Sequence, residues 1–150
     1  MANAKIGSHP SFGLQVVESI DTTAKQLVPG DSGKVFMCDQ NSTADVVCFL
    51  PQISTSIAGW HAKFVMRTVS SKDFAIVAYG SAHAGSTDGD SDKIVYLEEA
   101  DANTTVAAAD AIEFTESAST AGDWCDIFTD GSKWYAHVHS SADAGVVSAG

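Results

Sequence analysis

Three groups of side chains in this sequence have spacings that invite chemistry. Asp88, Asp90 and Asp92 stand at alternate positions in the polar tract GSAHAGSTDGDSDK. Calcium takes several oxygen ligands, and carboxylates so spaced can supply them. An EF-hand loop needs a glycine after its third acidic position and a closing glutamate. Lys93 and Ile94 follow here instead, so the tract is expected to be a solvated loop. Glu98, Glu99 and Asp101 form a second acidic group, read most simply as a solvated strand end. His137 and His139 lie two apart and so share one side of a strand. Zinc accepts such a pair but needs further ligands. Cys125 would be the nearest candidate, yet alternation pairs it with Ile127 on the opposite face. No metal and no other cofactor is therefore expected, and histidines gathered about a threefold axis are a comparable use of the pair. His9, His61 and His83 stand alone and are expected at the surface or at an interface.

Ser, His and Asp are plentiful, but no G-x-S-x-G elbow, G-x-G-x-x-G turn or Walker loop is present. GSTDGDSDK resembles a phosphate loop only in its glycines, and its acidity would repel phosphate. The expectation is a protein that is not an enzyme. The three cysteines, Cys38, Cys48 and Cys125, are an odd number without C-x-x-C spacing. Each lies in an apolar run and reads as a buried thiol. The net charge of −11, with only eight Lys and Arg, disfavours nucleic acid and anionic membrane as partners. No apolar run reaches transmembrane length. The first residues lack the long apolar centre of a signal peptide, so synthesis in a cytoplasm without secretion by that route is expected. The acidic balance suits a soluble protein or one displayed outside an assembly.

The elements that would carry these residues are short strands. LQVVESI (14–20), GKVFMCD (33–39), ADVVCFLP (44–51), HAKFVMRTV (61–69), DFAIVAYG (73–80) and KIVYLEE (93–99) are apolar runs separated by turn chemistry. The stretch 104–117 is expected to hold two short strands, because Thr104, Thr105 and Val106 favour extension and IEFT alternates. About ten strands and no amphipathic helix indicate an all-β, single-domain β-sandwich or jelly-roll-like fold over 14–140. An extended N-terminal arm (1–13) and a C-terminal tail (141–150) would flank it. The spacing is too irregular for a repeat of fixed period.

The most legible element is the hairpin in DIFTDGSKWYAHV, with positive φ angles expected at Asp130-Gly131. Trp134, Ala136 and Val138 share one face of its second strand, and Tyr135, His137 and His139 the other. Cys125 and Ile127 oppose Trp124, Asp126 and Phe128 in the same way. Both faces carry aromatic groups, whereas a hairpin with one face in water has one apolar face. A covering loop or another subunit is implied. Trp124, Phe128, Tyr135, His137 and His139 are thus the expected subunit interface.

Four segments in order, QLVPGDSGKVFMCD (26–39), VVCFLP (46–51), AGWHAKFV (58–65) and GDWCDIFTDGSKWYAHVHS (122–140), resemble a family of small structural proteins of tailed bacteriophages. The last is similar to a pattern of Gly-Asp, an alternating strand, Ser-Asp-Gly-Thr-Asn-Trp-Tyr and a closing strand. Thr129 replaces the Ser and Ser132-Lys133 the Thr-Asn, which keeps the turn chemistry. The resemblance implies a β-rich virion protein, foremost a capsid decoration (cement) protein. It would be homotrimeric and bound to the major capsid protein on the outer surface of the head. Related patterns occur in head fibres and tail proteins. The alternative is therefore a receptor- or glycan-binding module there, with Trp60, Trp124 or Tyr135 stacking on sugars. The arm carries Ile6, His9, Pro10 and Phe12, and Gly7 and Gly13 leave its backbone free to adapt. Ile6, His9, Pro10 and Phe12 are expected to contact the capsid partner by strand addition.

Overall fold

The computed structural model describes residues 16–79, 94–98, 105–142 and 144–149. The expected arm with Ile6, His9, Pro10 and Phe12, the Asp88–Asp92 tract with His83, and Glu99 and Asp101 lie outside the described residues.

Among the described residues twelve strands run in chain order: β1 (Val17–Ile20), β2 (Ala24–Gln26), β3 (Val35–Asp39), β4 (Val46–Phe49), β5 (His61–Thr68), β6 (Phe74–Val77), β7 (Ile94–Glu98), β8 (Thr105–Ala109), β9 (Ala111–Phe114), β10 (Trp124–Thr129), β11 (Trp134–His139) and β12 (Val146–Ala149). Two short 3-10 turns, Pro29–Asp31 and Thr55–Ile57, are the helical pieces among the described residues. The strands form a seven-stranded sheet in the order β1-β3-β5-β10-β11-β7-β8 and a five-stranded sheet in the order β12-β9-β6-β4-β2. The all-β sandwich expected from the strand pattern is what the chain adopts. Its connectivity is not the antiparallel Greek key of a jelly roll, since five of the ten strand pairings are parallel.

Four of the five parallel pairings come from a winding. β1, β3 and β5 lie side by side in the larger sheet, and β2, β4 and β6 side by side in the smaller one. The chain therefore crosses between layers at every step from β1 to β6. Each crossover that these four pairs require is itself a strand of the other sheet. The coils are unequal in length, which is why no fixed period shows in the sequence. The break at Asp110, between β8 and β9, again switches sheets, so the two strands expected across 104–117 form but never pair with each other. Residues expected as a tail supply β12, which pairs antiparallel with β9, and Val146 is fully buried. The small residues around it hide this strand from any count of apolar runs.

One core fills the space between the layers. Phe36 stacks on Phe64 at 5.2 Å, Trp60 meets Trp134 edge to face at 5.2 Å, and Phe74 meets Phe114 at 6.2 Å. Each such side chain, fully buried, contributes roughly 1.5–3 kcal/mol before ordering costs. All three cysteines are inside, as expected. The smaller sheet is also buried on its other side, where Val47, Ala75, Val77 and Ala111 form a second apolar cluster with Phe49 against it. Runs such as FAIV, apolar at every position, belong to strands covered on both faces.

Edge strands β1 and β2 lie at the same side of the sandwich, and an ion network closes the gap between them. Glu18 of β1 pairs with Lys25 of β2 and, at 2.8 Å, with Lys34, which also reaches Asp31 at 2.6 Å. Burial pushes the Asp31 carboxyl up. The hydrogen bonds from Lys34 and the Val28 N–H, together with the nearby ammonium charges, outweigh that and hold it below its ordinary value.

Candidate functional site

The hairpin β10–β11 sits in the middle of the larger sheet, between β5 and β7. Two devices hold it. At its open end the buried Asp123 carboxylate accepts from the Thr120 N–H at 2.8 Å and the Ser141 N–H at 2.9 Å. The residue before β10 thus ties down the chain after β11. Gly122, at φ 103°, makes the tight entry. At the closed end, Thr129 pairs with Trp134 and residues 130–133 form a four-residue loop. Only Gly131 in this loop has a positive φ, 91°, so the expected pair of positive φ angles at Asp130-Gly131 is corrected to one. Asp130 instead works through its side chain. Oδ1 accepts from the N–H groups of Ser132 (2.7 Å) and Lys133 (2.9 Å), and Oδ2 from the Tyr135 hydroxyl at 3.0 Å. The Lys133 and Ser132 N–H groups hold the Asp130 carboxyl well below the usual carboxylate range.

Side chains of the hairpin alternate as the sequence indicates. Cys125, Ile127, Trp134, Ala136 and Val138 point into the core, and Trp124, Asp126, Phe128, Tyr135, His137 and His139 stand on the outer face. All five residues expected at a subunit interface are therefore brought together. Register places Trp124 beside His139, Asp126 beside His137 and Phe128 beside Tyr135. Trp124 stacks on His139 at 5.7 Å and meets His137 edge to face at 5.4 Å, while Phe128 stacks on Tyr135 at 5.2 Å. From β5, the Lys63 ammonium lies 3.8 Å from the centre of the Trp124 ring and 3.2 Å from Asp126.

The face extends across the sheet. Met37 and Val65 fall in the row of Trp124, and Val17, Val35 and Lys63 in the row of Asp126. Val17 is 62% exposed and Phe128 52%. An outward sheet face is ordinarily polar, and here valine, methionine and aromatic side chains are concentrated on it. His61 joins it as the register partner of Phe128, so every histidine among the described residues lies on this face. At the far corner, Arg67 bonds Asp39 and the Ser19 hydroxyl, and its guanidinium lowers the Asp39 carboxyl.

Several candidate residues separate. Cys125 pairs with Val138 and points away from the two histidines, so these three residues do not form a metal set. Among the described residues no group of three metal-ligating side chains gathers. Burial pushes the Cys48 thiol up to about 12 and the Cys38 and Cys125 thiols upward as well, which leaves them unreactive in the folded chain. Trp60 is 3% exposed and packs on Trp134, so it cannot stack on a sugar. Its place in AGWHAK, just ahead of an alternating strand, carried no sign of this. Sequence reasoning missed Lys63, and it put His61 at the surface or an interface without indicating which residues it would stand beside. Their side of β5 is visible only once β5 is known to neighbour β10. No helix among the described residues is long and apolar enough to cross a membrane. No family model, no curated protein and no solved structure matches the chain.

Proposed function

We propose that this chain is a non-enzymatic virion subunit: a homotrimeric decoration (cement) protein on the outer surface of a tailed-phage head. The observation that carries the self-assembly is the outer face of the seven-stranded sheet. Trp124, His137 and His139, with Val65 and Met37 beside them, form its centre. In a trimer this centre meets a neighbouring copy, and aromatic anchors of that kind dominate interface energetics. The tailed-phage setting rests on the resemblance of the four ordered segments from Gln26 to Ser140, and the acidic balance suits a protein displayed on the outside of an assembly. Two dipeptides of the last segment have physical roles: Gly122-Asp123 locks the open end of the hairpin and Asp130-Gly131 its closed end.

The mechanism is mechanical. Each copy buries surface on several capsid subunits, so separating those subunits also breaks decoration contacts. The major capsid protein is the partner, and the arm carrying Ile6, His9, Pro10 and Phe12 is the proposed anchor to it. Light scattering of the purified protein is expected to give about three times the 15.6 kDa chain mass. Trp124→Asp is expected to give the monomer mass. Added to heads that lack it, the protein is expected to appear as density over the whole head, and deletion of residues 2–13 to reduce that occupancy sharply. Density confined to a tail or a single vertex places the subunit on a fibre instead.

A further inference from the structure

At the turn end of the hairpin, on the same outer face, a groove of about 420 Å³ opens between β5 and β10; for it to be free in the trimer, the self-contact is confined to the Trp124 centre and leaves out Phe128, which the sequence grouped with the interface. Its volume falls in the range of small-ligand sites. Gly33, Lys34, His61, Lys63, Asp126 and Phe128 line it. We infer that this groove binds the ring of a neutral pyranose sugar, with Phe128 as the stacking platform.

One face of Phe128 lies on Tyr135, and the residue is still 52% exposed. Its other face is turned toward β5, where His61 is its register partner. An exposed aromatic ring offers the flat apolar surface that the C–H face of a pyranose covers. Of the polar groups around it, Lys34 is held by Glu18 and Asp31, and the others are two acceptors and one donor. Nδ1 of His61 lies 3.2 Å from the Gly59 carbonyl oxygen, which can only accept, so that nitrogen carries the hydrogen. In the neutral ring Nε2 is then the acceptor left over. Asp126 engages Lys63 through Oδ2, and its side chain is half exposed, which leaves Oδ1 to accept. Lys63 has three N–H donors, and its contacts with Asp126 and the Trp124 ring leave one to give.

Ligand hydroxyls both donate and accept, so a polyol satisfies all three groups. Both lysines of the groove are already paired, Lys34 with Glu18 and Asp31 and Lys63 with Asp126, so an anion would compete with carboxylates in the field of a chain with net charge −11. A purely apolar ligand would strip water from Asp126 and Lys63 without replacing their hydrogen bonds. The glycine at position 33 presents no side chain to the groove, and a Cβ placed there would come no nearer than 3.9 Å to any neighbour, the His61 Nε2. The wall on that side is low. The aromatic platform is thus not Trp60, which is inside, nor Trp124, which carries Lys63 on its ring.

The test is saturation-transfer NMR on the full chain with the methyl glycosides of glucose, galactose, mannose and N-acetylglucosamine at millimolar concentration. At least one is expected to receive transfer, strongest at ring C–H protons and not at the aglycone methyl. Phe128→Ala is expected to weaken that binding at least tenfold. Phe128→Leu, which keeps bulk but not the flat face, and Asp126→Asn, which removes an acceptor charge, are expected to weaken it several-fold. They keep the test decisive should the alanine variant fail to fold. Absence of transfer to all four glycosides, or unchanged binding in Phe128→Leu and Asp126→Asn, overturns the inference. Light scattering on the same samples separates the two claims: a trimer without sugar binding overturns this groove alone, and sugar binding by a monomer leaves the groove standing and removes the trimer.

Discussion

Asp130 shows how much one exposed carboxylate can organise. It takes two backbone N–H groups and two hydroxyls, those of Ser132 and Tyr135, and through Tyr135 it reaches the ring stacked on Phe128. Its folded carboxyl titrates well below the unfolded one because the Lys133 and Ser132 N–H groups favour the charged form. By linkage, the stability it contributes is fully present above its unfolded value of about 3.9. That contribution is lost as pH falls through the depressed folded value. Asp130→Asn removes the titration. The gap in melting temperature between wild type and variant is expected to be widest near neutral pH and to shrink steadily below about pH 4. A gap that stays constant down to pH 2 would count against this role. The sequence made the residue conspicuous as a turn former but not as the acceptor at the centre of a loop. A side-chain cap and a positive φ are both compatible with Asp-Gly, and the loop length decides between them.

At the level of the element, the hairpin was legible almost in full. Strict alternation in WCDIFT and WYAHVH is forced on any strand with a buried face, so the two sets of side chains could be assigned before the register was known. The sheet around it was not legible, because β5 and β7 come from 61–68 and 94–98 and nothing local says which strand lies beside which. That is why Lys63 escaped notice and His61 could not be placed beside Phe128, while the five hairpin residues could be assigned to one face. The loop end of the hairpin also packs on the 3-10 turn Thr55–Ile57. A Cβ at Gly131 would stand 3.1 Å from the Ser54 carbonyl oxygen and 3.1 Å from the Thr55 Cα, at a φ of 91°. Gly131→Ala therefore meets both backbone strain and a backbone clash, and is expected to cost about 1–3 kcal/mol. Chemical denaturation should show this as a lower midpoint with an unchanged slope. Wild-type stability would mean that the turn can withdraw from the loop.

For the whole molecule, composition and strand spacing were enough to indicate two packed sheets, because many short apolar runs without a helix leave little else. The interleaving of β1–β6 was hidden for a physical reason. Winding between layers leaves each strand with the same local pattern that a hairpin would, and the coils differ in length. The winding has an effect on folding that can be measured. Neither sheet can be completed while the other is absent, since each parallel neighbour is reached only through a strand of the opposite layer. Amide exchange in β4 and β6 is expected to report the same opening free energy as unfolding followed by Trp60 and Trp134 in the core, and refolding to be slow for a chain of this size. Exchange from β4 and β6 at markedly lower free energy would show that the smaller sheet opens by itself. The same threading bears on load. A force drawing β1 and β5 apart along their length would act on the β1–β3 and β3–β5 ladders in shear, with their hydrogen bonds strained together and not unzipped singly. The chain between those strands, laid through the opposite sheet, would have to be dragged out of the core before either end came free.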